Sequence, residues 1–185
     1  MANRLLTRFG KKIGPDPASI DSAMIGGIAA NNASGMCCGV SQNSYKTIAD
    51  INIILPDGTD LDTADVSSVT RFRKTHAHIV EGLENIAKSI DADPVLKERI
   101  ERKYKIKNTT GYSLNAFVDY KDGIDILKHL IIGSEGTLAF ISSFTYNTVD
   151  DNKFKALALV IFPTIREACS AVQTLTQMPV SAVEL

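Results

Sequence analysis

The chain has little cysteine, almost no net charge and no long apolar run, and each shortage removes a class of function. Its three cysteines, Cys37, Cys38 and Cys169, are odd in number and two are adjacent, so a secreted disulfide framework does not fit and a cytoplasmic setting does. Twenty basic against 21 acidic residues, with a pI near 6.3, leave no excess of charge to track a nucleic acid, which excludes that partner. No apolar stretch reaches membrane-spanning length, and Met1 to Lys12 lacks the apolar core of a signal peptide, so membrane association is at most peripheral, at the inner face. Cations are also missing locally. Between Lys12 and Lys46 there is no Lys, Arg or His, so a phosphate bound there must be held by backbone amides and by Ser or Asn side chains.

What is present is a globular chain of 185 residues, 44% hydrophobic, long enough for one domain and part of another. Met1 to Phe9 reads as a short helix stopped by Gly14-Pro15-Asp16-Pro17, because two prolines within three residues forbid helical continuation. Ile51 to Leu55, the turn Pro56-Asp57-Gly58 and Leu61 read as a hairpin. Val69 to Ile90 carries apolar residues at helical spacing, and Pro94 to Tyr104 predicts a second helix. Leu127 to Ile132 is compatible with helix or strand, whereas Leu138 to Tyr146 has the β-branched and aromatic content of a strand. After Asp150-Asp151-Asn152, Ala156 to Phe162 predicts a strand, Thr164 to Gln177 a helix, and Val180 to Leu185 a further apolar run. This is a β-α-β pattern whose unfinished last element leads us to expect that the protein continues past Leu185.

The most informative segment runs from Gly14 to Gly39. It holds Ile25-Gly26-Gly27-Ile28-Ala29-Ala30-Asn31-Asn32-Ala33-Ser34-Gly35. Glycine pairs reach positive φ and expose successive amides as an anion-binding concavity, and Asn tolerates left-handed backbone nearly as well. Neither G-x-G-x-x-G after a strand nor Gly-x-x-x-x-Gly-Lys-Ser/Thr occurs here, so Rossmann and P-loop readings fail. On composition alone, tight packing of helix or strand explains the glycines equally well.

Pro15-Asp16-Pro17-Ala18-Ser19, Met24 to Gly27, Ala30 to Gly35 and Leu55-Pro56-Asp57-Gly58, followed by Ile132-Gly133-Ser134-Glu135-Gly136-Thr137-Leu138 and Ile141, resemble the FAD-linked D-lactate and D-2-hydroxyglutarate dehydrogenases of the vanillyl-alcohol-oxidase superfamily. The resemblance implies an α+β fold: the second subdomain of a PCMH-type FAD-binding domain over residues 1–150, mostly antiparallel sheet flanked by helices, and the start of a substrate-covering cap domain over 151–185. It implies that Pro17, Ser19, Ile25, Gly26, Gly27, Asn31, Asn32, Ser34 and Gly35 line the FAD pyrophosphate and ribityl chain, with Glu135, Gly136 and Ile141 on the adenine side. It further implies that Lys105, Lys107, Thr110 and Tyr112, in and around Asn108-Thr109-Thr110-Gly111-Tyr112, hold a substrate carboxylate. The family's hydroxyglutarate enzymes carry an arginine where Ile106 stands, flanked here by lysines. Cys37-Cys38 and the Asn-Thr-Thr-Gly-Tyr loop are similar to large bacterial members that carry 4Fe-4S modules elsewhere in their chains.

The activity so implied is oxidation of a D-2-hydroxy acid to the 2-keto acid with FAD as hydride acceptor, this portion alone being inactive because the family's metal-binding and catalytic histidines lie in the cap. Glycolate or another alcohol as substrate, and a non-catalytic nucleotide-binding or interaction domain, are the competing expectations. Other constellations promise less. His76 and His78 share a face only in a strand, while their surroundings read as helix, which argues against a metal there. Cys37 and Cys38 lack a C-x-x-C partner and are expected to be buried beside the flavin loop. His129, in an apolar run, is expected to be a core histidine.

Overall fold

The structure is a computed structural model describing residues 2–185. Its core is built around one strand, β2 (Ile48–Ile54), which pairs antiparallel with β3 (Asp60–Asp62) on one side and β4 (Phe140–Tyr146) on the other, in the order β3-β2-β4. Ile51 and Ile53 alternate inward and are fully buried with Leu61 of β3, the outcome expected of a sheet with one covered face. The β2–β3 turn closes through Gly58 N–H to Leu55 carbonyl at 2.9 Å, and Gly58 sits at φ 84°, where a Cβ is disfavoured. A smaller antiparallel pair joins β1 (Lys11–Lys12) to β5 (Val149–Asp150).

Helices cover the inner face of the sheet. α4 (Val66–Thr75), α5 (Ala77–Asp91) and α8 (Gly123–Ile131) contribute Phe72, Val80, Ala87, Ile126 and Ile131 to the same hydrophobic cluster as Ile51, Ile53 and Leu61. Their starts are chemically specified. Asp65 accepts from Ser67 N–H at 2.8 Å, Asp122 from Ile124 N–H at 2.9 Å, and for α6 (Pro94–Lys103) Asp93 accepts from Leu96 N–H at 3.0 Å, with Pro94 in the first turn. Four short helices complete the set: α1 (Ala2–Leu6), α2 (Ile25–Asn31), α3 (Ser44–Thr47) and α7 (Ala116–Asp119), and α9 (Ile165–Leu175) follows β5. The architecture is α+β.

Three expectations change. The single helix over Val69 to Ile90 is two helices, broken at His76 (φ −122°, ψ 34°), whose ring is held by Asp57 Oδ2 at 2.9 Å, by Thr75 Oγ1 at 2.8 Å and by stacking on Phe72 at 4.7 Å. The hairpin turn thus captures the residue at the break. Leu127 to Ile132 resolves as helix α8, since the Asp122 cap starts a helix whose Ile124, Ile126, Leu127, Leu130 and Ile131 are all buried. The β-α-β pattern after residue 151 yields only α9. Neither Ala156 to Phe162 nor Val180 to Leu185 forms a strand, because no neighbour pairs with their amides, and Leu157 and Leu159 are 93% and 89% exposed.

Candidate functional site

Helix α2 carries Ile25, Gly26 and Gly27 in its first turn, exposed and facing open space: a Cβ built on either glycine meets nothing within 4 Å. The glycines are therefore not explained by tight packing against the described residues. The helix ends at Asn31, and Asn32 takes a left-handed conformation (φ 50°, ψ 44°) as its C-cap, its N–H returning to Ala29 carbonyl at 3.0 Å.

The carbonyls at that helix end are satisfied from more than 100 residues away. Gly133 N–H donates to Ala29 carbonyl at 3.1 Å and Glu135 N–H to Ala30 carbonyl at 2.9 Å, while Asn31 Nδ2 donates to Glu135 Oε1 at 2.5 Å. Reaching both carbonyls takes the loop through positive φ at Gly133, Glu135 and Gly136, and brings Gly133 so close that an added Cβ stands 3.3 Å from Asn32 Cβ. The two glycine-containing segments singled out in the sequence form one surface. Asn31, Glu135 and Gly136 are exposed on it, whereas Asn32 and Ser34 are buried behind it.

A second strap fastens the other end of the turn. The Asp16 carboxylate accepts from Cys37 N–H at 3.2 Å and Cys38 N–H at 3.1 Å, and Gly35 lies so close to the Asp16 carbonyl that no side chain fits there. Pro17 is buried beside this contact and Ser19 is exposed in the following turn. The cysteine expectation is half corrected. Cys38 is buried, its Sγ accepting from Gly35 N–H at 3.2 Å and its thiol pushed up by burial, but Cys37 is exposed, because the Asp16 bonds fix the backbone and leave its side chain outside.

The loop after α6 forms the third wall. Lys107 Nζ donates to Ser34 carbonyl at 3.3 Å, Tyr104 hydroxyl to Tyr112 carbonyl at 2.7 Å, and the Tyr112 and Thr137 hydroxyls pair at 2.9 Å. Lys105 and Thr110 are exposed, and their side chains make no hydrogen bond to the described residues. Ile141 stands apart: it is half-buried in β4 opposite Ile53 and packs on the core. Behind the wall lies a polar cavity of about 30 Å³ lined by Asn32, Asn43, Tyr45, Tyr104, Ser113 and Asn115 among others, a space for one water-sized guest. Two residues of this assembly, Asp16 and Thr137, stand in the quoted motifs but had been given no role. The carboxylate between two prolines was the available signal for the first; nothing local marks the second.

His129 is a core residue. It is 4% exposed, stacked on Tyr120 at 3.8 Å, edge-on to Tyr45 at 5.0 Å and bonded through Nδ1 to Asp125 carbonyl at 2.7 Å. Burial lowers its pKa to about 4, against a smaller opposite effect of the carbonyl bond, so it is neutral at ordinary pH. Tyr45, its neighbour, is pushed up by burial and by Asp119, whose Oδ2 it meets at 2.9 Å. Among the described residues no three His, Cys, Asp or Glu side chains converge to hold a metal, and no helix is long and apolar enough to cross a membrane.

Residues 1–64 match the FAD binding domain family, a span that contains the whole Gly14–Gly39 segment and α2. Over 185 residues the chain is 26% identical to D-lactate dehydrogenase [cytochrome] 1, mitochondrial, of Saccharomyces cerevisiae, a match covering 99% of this chain and 22% of that relative. The chain therefore spans about a fifth of the relative's length. The family match supports FAD as a ligand of this chain.

Proposed function

We propose that residues 1–150 are part of the FAD-binding domain of a flavin-dependent dehydrogenase that oxidises a D-2-hydroxy acid, D-lactate or D-2-hydroxyglutarate, and that residues 151–185 begin its substrate-covering cap. The observation that carries the reading is the FAD binding domain match over residues 1–64. It is supported by the open Gly26-Gly27 turn, fastened to the Gly133–Gly136 loop. The likeness to a D-lactate dehydrogenase supports the substrate class.

In this reading the first turn of α2 and the Asn31–Gly35 turn hold the dinucleotide through backbone amides, with Pro17 and Ser19 at one end and Glu135 and Gly136 at the other. Ile141 acts from beneath, through the strand that carries the loop, because its side chain is turned to the core. Bound FAD would supply the hydride acceptor for a substrate C2–H. This chain's residues bind and orient: Lys105, Lys107, Thr110 and Tyr112 form the side that a carboxylate meets, and the Tyr112–Thr137 pair ties that side to the cofactor loop. The base that takes the hydroxyl proton, and any iron–sulfur centre, belong in this proposal to other parts of the protein.

The test is the visible spectrum of the whole protein, recorded without oxygen before and after D-2-hydroxyglutarate and then D-lactate. Flavin bands that bleach with one of the two establish the activity and name the better substrate. Bands unchanged by both, but bleached by glycolate, keep the flavin site and move the substrate. A colourless protein that takes up no added FAD overturns the reading.

A further inference from the structure

A cleft of about 360 Å³ opens between the β2–β3 hairpin and α4, and none of the residues proposed to meet FAD or substrate lines it. Its walls are Thr59, Asp60, Arg71, Phe72, Thr75 and His76. The floor is fixed and already satisfied. Phe72 is 1% exposed and stacks on the His76 ring, whose nitrogens are both taken, Nδ1 by Thr75 Oγ1 at 2.8 Å and Nε2 by Asp57 Oδ2 at 2.9 Å. The rim is not satisfied. Arg71 donates from Nη2 to Ser68 Oγ at 3.3 Å, and that hydroxyl is buried and held in turn by Asp62 N–H at 3.1 Å, so the guanidinium is aimed from beneath. A guanidinium carries five N–H donors, and this bond uses one. Asp60, exposed at the start of β3, is the opposite charge on the same cleft. Among the described residues neither Arg71 nor Asp60 enters an ion pair, with the other or with any third group.

We infer that this cleft binds a small zwitterion, a free amino acid, with its carboxylate on Arg71 and its ammonium on Asp60. The volume is that of a small-molecule site, and its few polar groups converge from two elements. Two unpaired charges of opposite sign select by repulsion as well as by attraction. A simple anion is drawn by Arg71 and opposed by Asp60, a simple cation the reverse, and only a guest that carries both charges meets two partners. The Phe72 floor and the threonine side chains lie between the charges, where the carbon skeleton of such a guest belongs. The inference does not rest on the flavin reading.

The measurement is titration of the whole protein with glycine, β-alanine and γ-aminobutyrate, whose two charges stand progressively farther apart, and with acetate and methylammonium as single-charge probes. Calorimetry follows affinity, and the NMR signals of the His76 ring report occupancy of the cleft. The expected result is saturable binding of at least one zwitterion in the millimolar range, with both single-charge probes weaker by about tenfold or more. Arg71→Met and Asp60→Asn each weaken the zwitterion by about tenfold, and Arg71→Lys, which keeps the charge, retains most of the affinity. The melting temperature stays unchanged in all three variants, because both side chains are exposed and unpaired. Absence of saturation by every zwitterion, acetate binding as tight as theirs, or zwitterion binding that survives both Arg71→Met and Asp60→Asn overturns the inference.

Discussion

Two single residues have effects that can be worked out from their surroundings. His129 is buried and neutral, with its pKa depressed to about 4 from an ordinary 6.5. The unfolded chain binds a proton at this residue near pH 6.5 while the folded chain does not until about pH 4. Stability is therefore level above neutrality, falls between those two values by up to about 3 kcal/mol, and levels again below. Urea unfolding measured across that range in the native chain and in His129→Gln should show the acid loss diminished in the variant; equal slopes would contradict it. Gly35 faces the Asp16 carbonyl at a distance that admits no side chain. Gly35→Ala forces the Asp16 and Cys37–Cys38 segments apart and is expected to cost about 1–3 kcal/mol. The same substitution at Gly26, where a Cβ meets nothing, should leave stability little changed. Denaturant midpoints of the two variants, side by side, check the contrast, and a weakened FAD affinity in Gly26→Ala without a loss of stability is the further expectation from the proposed function.

At the scale of elements, helical spacing was readable and helix interruptions were not. Asp65, Asp93 and Asp122 each precede a helix and cap it, a local chemistry visible in the sequence around any of them. Asp122→Ala removes the cap of α8 together with an ion pair to Arg73, and is expected to lower stability by about 1–2 kcal/mol, most of it from the cap because the pair is partly exposed. Thermal unfolding of Asp122→Ala against Asp122→Asn, which keeps a capping oxygen, separates the two contributions. The break at His76 has no local breaker, neither Gly nor Pro. It exists because Asp57, in a turn 19 residues earlier, bonds the ring, and the same bond lowers the Asp57 carboxyl to about 2. Periodicity extends a helix through such a point, since it registers burial and not the capture of one side chain by a distant turn.

The molecule as a whole exposes an apolar strip that its folded part does not use. Phe154, Leu157, Leu159 and Ile161 are each at least 85% exposed. Exposed apolar side chains gathered in one segment favour a contact or self-association. Replacing Leu157, Leu159 and Ile161 by Ser should reduce self-association and the binding of a hydrophobic dye in light-scattering and fluorescence measurements, without lowering the melting temperature, because none of the three packs on the core. The strip also shows where sequence reading stops. Its β-branched and aliphatic content predicts a strand, but a strand exists only where another pairs with it. The β2–β3 hairpin was legible because only five residues separate its strands, and they include Pro-Asp-Gly. So was the buried His129, expected from the apolar run around it, whereas the α+β class came from the resemblance. Folding alone brought the segments of the candidate site together: the Glu135 loop onto the end of α2, Asp16 under Cys37 and Cys38, and Lys107 against Ser34. Each of these contacts joins positions 21 or more residues apart through hydrogen bonds whose partners any number of residues could supply. Short-range pattern carries no record of which distant carbonyl a given amide or ammonium will meet, and only the packing of the core decides it.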